Sequence, residues 1–133
     1  MRWFRKVRKL DVWEAADIQP AGDIEAAHAI RDICRSAAAI VEHMASVHGS
    51  KAEQERASGA ERYQAAIKCA LEIAGKISDD AMRDVAVSQI IRLCVKVNHL
   101  KTARALLRAI QLEKMRAELI AECPALIDQD AAS

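Results

Sequence analysis

Apolar residues recur along this chain at steps of three and four, the rhythm of an α-helix with one buried face. Trp3, Phe4, Val7, Leu10 and Trp13 follow it between Arg2, Arg5, Lys6, Arg8 and Lys9, so residues 1–20 are predicted as a basic, aromatic amphipathic helix. Pro20-Ala21-Gly22 breaks the pattern. Asp23 then offers an N-cap, with Glu25 in the first turn, where an anion suits the helix dipole. Ile30, Ile33, Cys34, Ala37, Val41 and Met44 carry the stripe on towards Gly49, a natural C′ stop, and predict one long helix over 23–48.

Residues 50–59 are polar and charged, and two capping boxes begin there, Ser50 with Glu53 and Ser58 with Glu61. They read equally as a short helical turn or a connector. Beyond them Tyr63, Ala66, Ile67, Ala70, Leu71, Ala74 and Ile77 share one face, and Ser78-Asp79-Asp80 offers the next cap. Met82, Val85, Ala86, Ile90, Leu93, Cys94 and Val97 continue to a stop at Asn98-His99, asparagine being the usual substitute for glycine past a helix end. A shorter helix follows on Ala103, Leu106, Leu107 and Ile110, and a last one on Met115, Leu119 and Ile120, ended by Cys123-Pro124. Fraying is expected after Ile127.

The expected fold is therefore an all-α bundle of about five to six helices. Residues 21–133 form one domain, with two stacked helical hairpins over 60–125. Composition agrees: 27 of the 133 residues are alanine, and there are only four aromatics, four glycines and two prolines.

Residues 67–86 laid over 100–119, an offset of 33, pair Lys68 with Lys101, Ala70 with Ala103, Ile77 with Ile110, Met82 with Met115 and Arg83 with Arg116. The matches fall on the core face of one helix and on the start of the next, so both units read as helix, tight turn, helix. A helix–turn–helix unit of this length resembles the tetratricopeptide-type α-solenoids. The resemblance covers residues 60–125 and lacks that family's Trp-x-x-Leu-Gly-x-x-Tyr opening and its closing proline. It implies an architecture and a tendency to bind peptides or partner proteins, and it carries no specific binding residues. Two hairpins are also fewer than a solenoid needs to close its core. The 23–48 helix should cap them, or the chain should dimerise.

The net charge of +1 gives no bulk field favouring nucleic acid. Locally, Lys101, Arg104 and Arg108 fall at i, i+3 and i+7 and share a helix face suited to an anionic partner, with a solvated face as the plainer reading. Few aromatics are left to stack bases, so nucleic acid is not an expected partner. The cationic aromatic stripe of Trp3, Phe4, Val7, Leu10 and Trp13 can dock on the rest of the chain, on a second copy, or on an anionic membrane surface.

Candidate chemistry is sparse. Glu25-x-x-His28 has the spacing of two metal ligands on one helix face, but a bundle site needs a second such motif and further carboxylates, and none is present. His43 and His48 lie roughly 140° apart around a helix and do not converge. Cys34, Cys69, Cys94 and Cys123 contain no Cys-x-x-Cys pair, and most fall on apolar stripes, as small buried hydrophobes of a reducing compartment do. No Gly-x-Ser-x-Gly and no phosphate-cradling glycine loop occurs. No cofactor, metal or catalytic set is therefore expected. The sequence points to a non-enzymatic, cytoplasmic helical module that binds a protein, a peptide or a second copy of itself. A peripheral membrane protein held by its N-terminal helix is the first alternative, and a metal- or cysteine-dependent enzyme the second.

Overall fold

The computed structural model describes residues 22–127, and they are all-helical. Five α-helices follow one another: α1 (Asp23–Ser46), α2 (Ala52–Ala74), α3 (Asp80–Lys96), α4 (Leu100–Leu107) and α5 (Glu113–Glu122), closed by a 3-10 turn at Pro124–Leu126. Residues 1–21 and 128–133 lie outside the described residues, and so do the N-terminal amphipathic stripe and the expected C-terminal fraying.

The core is aliphatic and alanine-rich. Ile30, Ile33 and Ala37 of α1, Ala66 and Ala70 of α2, Ile90, Ile91 and Cys94 of α3, Ala103 of α4 and Leu119 of α5 form one buried cluster with Ile77 and Ile110 from the turns. Small side chains let α1 and α2 pack as a close antiparallel pair. Gly59 of α2 lies against Met44 of α1, where even an added Cβ would overlap the Met44 side chain.

Helix α3 sits between α1 and α5. Its C-terminal Lys96 pairs with Glu42 near the end of α1 (3.1 Å), and its Arg92 pairs with Glu122 at the end of α5 (2.9 Å). At the other end, Asp23 of α1 bonds the residues that begin α3, and Asp84 of α3 bonds those that begin α5. Like ends therefore lie together, so α1, α3 and α5 run parallel, with α2 and α4 returning between them. The closest pairs are α1 with α2 and α3 with α4, whereas the hairpins expected over 60–125 would pair α2 with α3 and α4 with α5.

The helix ends show where local signals prevailed. Asn98 adopts φ +64, and His99 N–H donates to Cys94 O (2.7 Å) while Asn98 N–H donates to Val95 O (3.0 Å), the paired bonds of a left-handed helix stop. Asp79 caps α3 by accepting from Met82 N (2.8 Å).

Other signals are used differently. Helix α1 stops at Ser46 rather than His48, because Val47 turns extended and buries its side chain, while Arg56 donates to its carbonyl (3.2 Å). Gly49, expected as the C′ stop, supplies its positive φ of +97 within the connection to α2. The undecided 50–59 segment is helical from Ala52 onward. Its buried stripe runs through Ala52, Gly59 and Tyr63, and the first two are too small to register as a hydrophobic period. Neither capping box is used, since Lys51 occupies the N-cap of α2 without a side-chain bond. Asp23 is the first helical residue rather than the cap, because its carboxylate is engaged across the bundle. Val85, expected in the core, is exposed, and Asp84 beside it is buried.

Candidate interaction surfaces

Two turns at one end of the bundle are built alike. Ser78 and Asp79 donate their backbone N–H groups to the Asp23 carboxylate (both 3.0 Å), and the Ser78 hydroxyl donates to it as well (3.0 Å). Thirty-three positions on, Gln111 N–H (3.2 and 3.1 Å) and Leu112 N–H (2.8 Å) donate to the Asp84 carboxylate. Arg83 donates to Ile77 O (2.9 Å), and Arg116 donates to Ile110 O (2.6 Å). The identities Ile77/Ile110 and Arg83/Arg116 thus mark a shared contact. A guanidinium holds the carbonyl of the turn isoleucine while a carboxylate from the preceding parallel helix holds the next two amides. The amide bonds also hold Asp23 below its ordinary value, Ser78 contributing most and Asp79 next.

At the opposite end a cleft of about 240 Å³ opens between α1, α2 and the end of α3, lined by Val41, Met44, Ala60, Tyr63, Gln64, Val97, Asn98 and His99. Its floor is polar. The Tyr63 hydroxyl lies 3.6 Å from Cys94 Sγ and 3.4 Å from His99 Nδ1, and His99 Nε2 lies 2.9 Å from Thr102 Oγ1. Burial, followed by the bond to Cys94, raises the Tyr63 phenol far above its ordinary value. Burial likewise pushes the Cys34 thiol up to about 12 and raises those of Cys69 and Cys94. Thiols so raised are protonated at neutral pH and are poor nucleophiles. A smaller groove of about 150 Å³ lies between α3 and α5, bordered by Ile91, Val95, Leu119 and the Arg92–Glu122 pair. That pair draws Glu122 below and Arg92 above their ordinary values, chiefly through the hydrogen bond each makes to the other.

Lys101 and Arg108 are exposed, but Arg104 donates to Ala125 O (3.1 Å) and fastens the C-terminal turn to α4. Lys96 is engaged with Glu42. Arg108 lies just past the end of α4, and Lys101 in its first turn. Trp3, Phe4, Val7, Leu10 and Trp13 fall outside the described residues. Glu25 and His28 are both exposed on α1, and among the described residues no cluster of His, Cys, Asp and Glu is placed to hold a metal ion. No helix among the described residues is long and apolar enough to cross a membrane.

Sequence reasoning missed the buried Asp84 and the cleft residue His99. An acid at position 84 was legible as a residue out of step with its apolar neighbours, but its amide partners lie 27 and 28 positions away. His99 was legible only as part of a helix stop. Comparison with protein-family models, with curated proteins and with solved structures finds no match.

Proposed function

We propose that this chain is a non-enzymatic helical interaction module of the cytoplasm, built of tetratricopeptide-like hairpins, which takes a peptide or partner-protein segment in the cleft between α1, α2 and α3. The observation that carries this reading is the repeated turn. Two carboxylates and two arginines hold successive hairpins in one register, as a stacked-repeat scaffold requires. The cleft supplies apolar walls for one side chain, and Lys101, exposed two positions beyond His99, offers a cation to an acidic neighbour. The raised thiols of Cys34 and Cys94 in the core support a binding role better than a nucleophilic one.

The test is reconstitution with a partner captured from the source cell. Ala60→Arg blocks the cleft from an exposed helical position. It should weaken binding by at least tenfold (about 1.4 kcal/mol), and Lys101→Glu should weaken it less. Equal affinity for the wild type and both variants would remove the cleft from the proposal. Turnover of a substrate by the purified chain would remove the module reading altogether.

A further inference from the structure

We propose that the cleft between α1, α2 and α3 is a socket for an indole ring, the side chain of a tryptophan on the partner. The proposal rests on the cleft being where the partner binds, and adds the chemistry of the group that enters it. Charge is the first selector. Among the described residues no acid, lysine or arginine lines the cleft, so an ionised side chain buried there would lose water without gaining a counter-ion. The neighbouring cavity, of about 260 Å³, differs in this respect, because His43, Glu55 and Arg62 line it. Met44 borders both. Two cavities that share one wall are thus suited to different guests, and the cleft is the one suited to an uncharged group.

Size and wall chemistry select further. A cavity of about 150 Å³ is enough for benzene. At about 240 Å³ the cleft has room for a second fused ring. Tyr63 is the only Phe, Tyr or Trp among the described residues, and it stands in this wall beside the His99 ring. Their centroids are 5.9 Å apart and their planes tilted by 58°. The hydroxyls of Tyr63 (3.4 Å) and Thr102 (2.9 Å) engage the two His99 nitrogens, so the pair of rings is set before a guest arrives. A tilted pair is a geometry that aromatic rings prefer, and a third ring can extend it. Met44 supplies the adaptable wall. Its thioether rests on Gly59, where an added Cβ would overlap the sulfur, and a polarizable sulfur gains more from a ring than from an alkyl group. Gln64 and Asn98, both exposed, bring carboxamide oxygens able to accept an indole N–H.

Methionine methyl signals of the full chain read the socket by NMR, with Met44 in its wall and Met82 and Met115 packed against the core. The probe is N-acetyl-tryptophanamide, set against N-acetyl-leucinamide and N-acetyl-lysinamide. The tryptophan probe should shift the Met44 methyl saturably and leave Met82 and Met115 in place. It should bind about fivefold more tightly than the leucine probe. The lysine probe should cause no shift, and Ala60→Arg should abolish the Met44 response. Met44→Leu keeps the volume and removes the sulfur. It should narrow the gap between the tryptophan and leucine probes, read from the ring signals of Tyr63 and His99. A leucine probe that binds as tightly as tryptophan overturns the aromatic socket and leaves the cleft as a binding site, and so does a lysine probe that binds best. No Met44 response to any probe, or equal responses at all the methionines, also overturns the socket. The affinity of the captured partner for Ala60→Arg then decides the module reading on its own.

Discussion

At the α2–α3 turn, Asp23 reaches from the first residue of α1 to two amides and a hydroxyl, and Asp79 adds a side-chain cap to α3. At the α4–α5 turn, Asp84 reaches from the second turn of α3 to the corresponding two amides, and the position equivalent to Asp79 is Leu112, which has no cap to offer. Asp23 is partly exposed, and Asp84 retains 1% of its exposure. One plan therefore operates in two dielectric settings. Where water can reach the lock, two carboxylates share the work, and losing either leaves amides that can be solvated. Where water is excluded, one carboxylate holds the start of α5, and the same bonds are stronger and costlier to lose. The last helix depends on it all the more because Leu119 is the one fully buried side chain α5 contributes.

The sharpest way to break this comparison is to remove Asp84. Asp84→Ala deletes a buried acceptor and leaves the Gln111 and Leu112 amides without it. The expected loss is about 2–4 kcal/mol, read as a shift of the urea midpoint. Hydrogen exchange should show α5 losing protection first, with α1 and α2 following only at the global transition. A uniform loss across all five helices would mean that Asp84 stabilises the core generally rather than the turn.

Asp79→Ala probes the exposed turn and should cost less, about 1 kcal/mol, the usual worth of an N-cap side chain. Protection should fall at the start of α3, and α5 should be untouched. A cost matching that of Asp84→Ala would erase the distinction between the two turns.

What the sequence revealed and what it hid divide along the same line. Local signals were readable: Asn98 as a left-handed stop, Asp79 as a cap, and the stripes of Tyr63, Ala66, Ile67 and Ala70 or Ala103, Leu107 and Ile110 as buried faces. The 33-residue offset was readable too, and its identities Ile77/Ile110 and Arg83/Arg116 prove to be contact partners. Features set by distant pairing were not. Asp23 has the local marks of an N-cap, yet its partners lie 55 and 56 positions away. The start of α2 was hidden because Ala52 and Gly59 bury almost no surface and leave no hydrophobic period. The cleft was invisible for a related reason, since Val41, Tyr63 and His99 come from three separate parts of the chain.

The lock on Asp23 should show itself in acid. Asp23 is held below its ordinary value by the amides of Ser78 and Asp79, so ionised Asp23 binds fewer protons folded than unfolded. Its contribution is then fully present above the unfolded carboxylate value, about pH 3.9, and is lost as pH falls through the lower, folded value. Glu122, lowered by Arg92, slopes the same way, so the comparison is best made in a Glu122→Gln background. There, Asp23→Ala should lower the melting temperature at pH 7, and the two proteins should converge as pH drops below about 4. Added salt should narrow the gap only slightly, because backbone amides rather than a distant charge hold the carboxylate. If the gap instead persists unchanged in acid, Asp23 acts through packing at the start of α1, and the exposed turn is held by Asp79 alone.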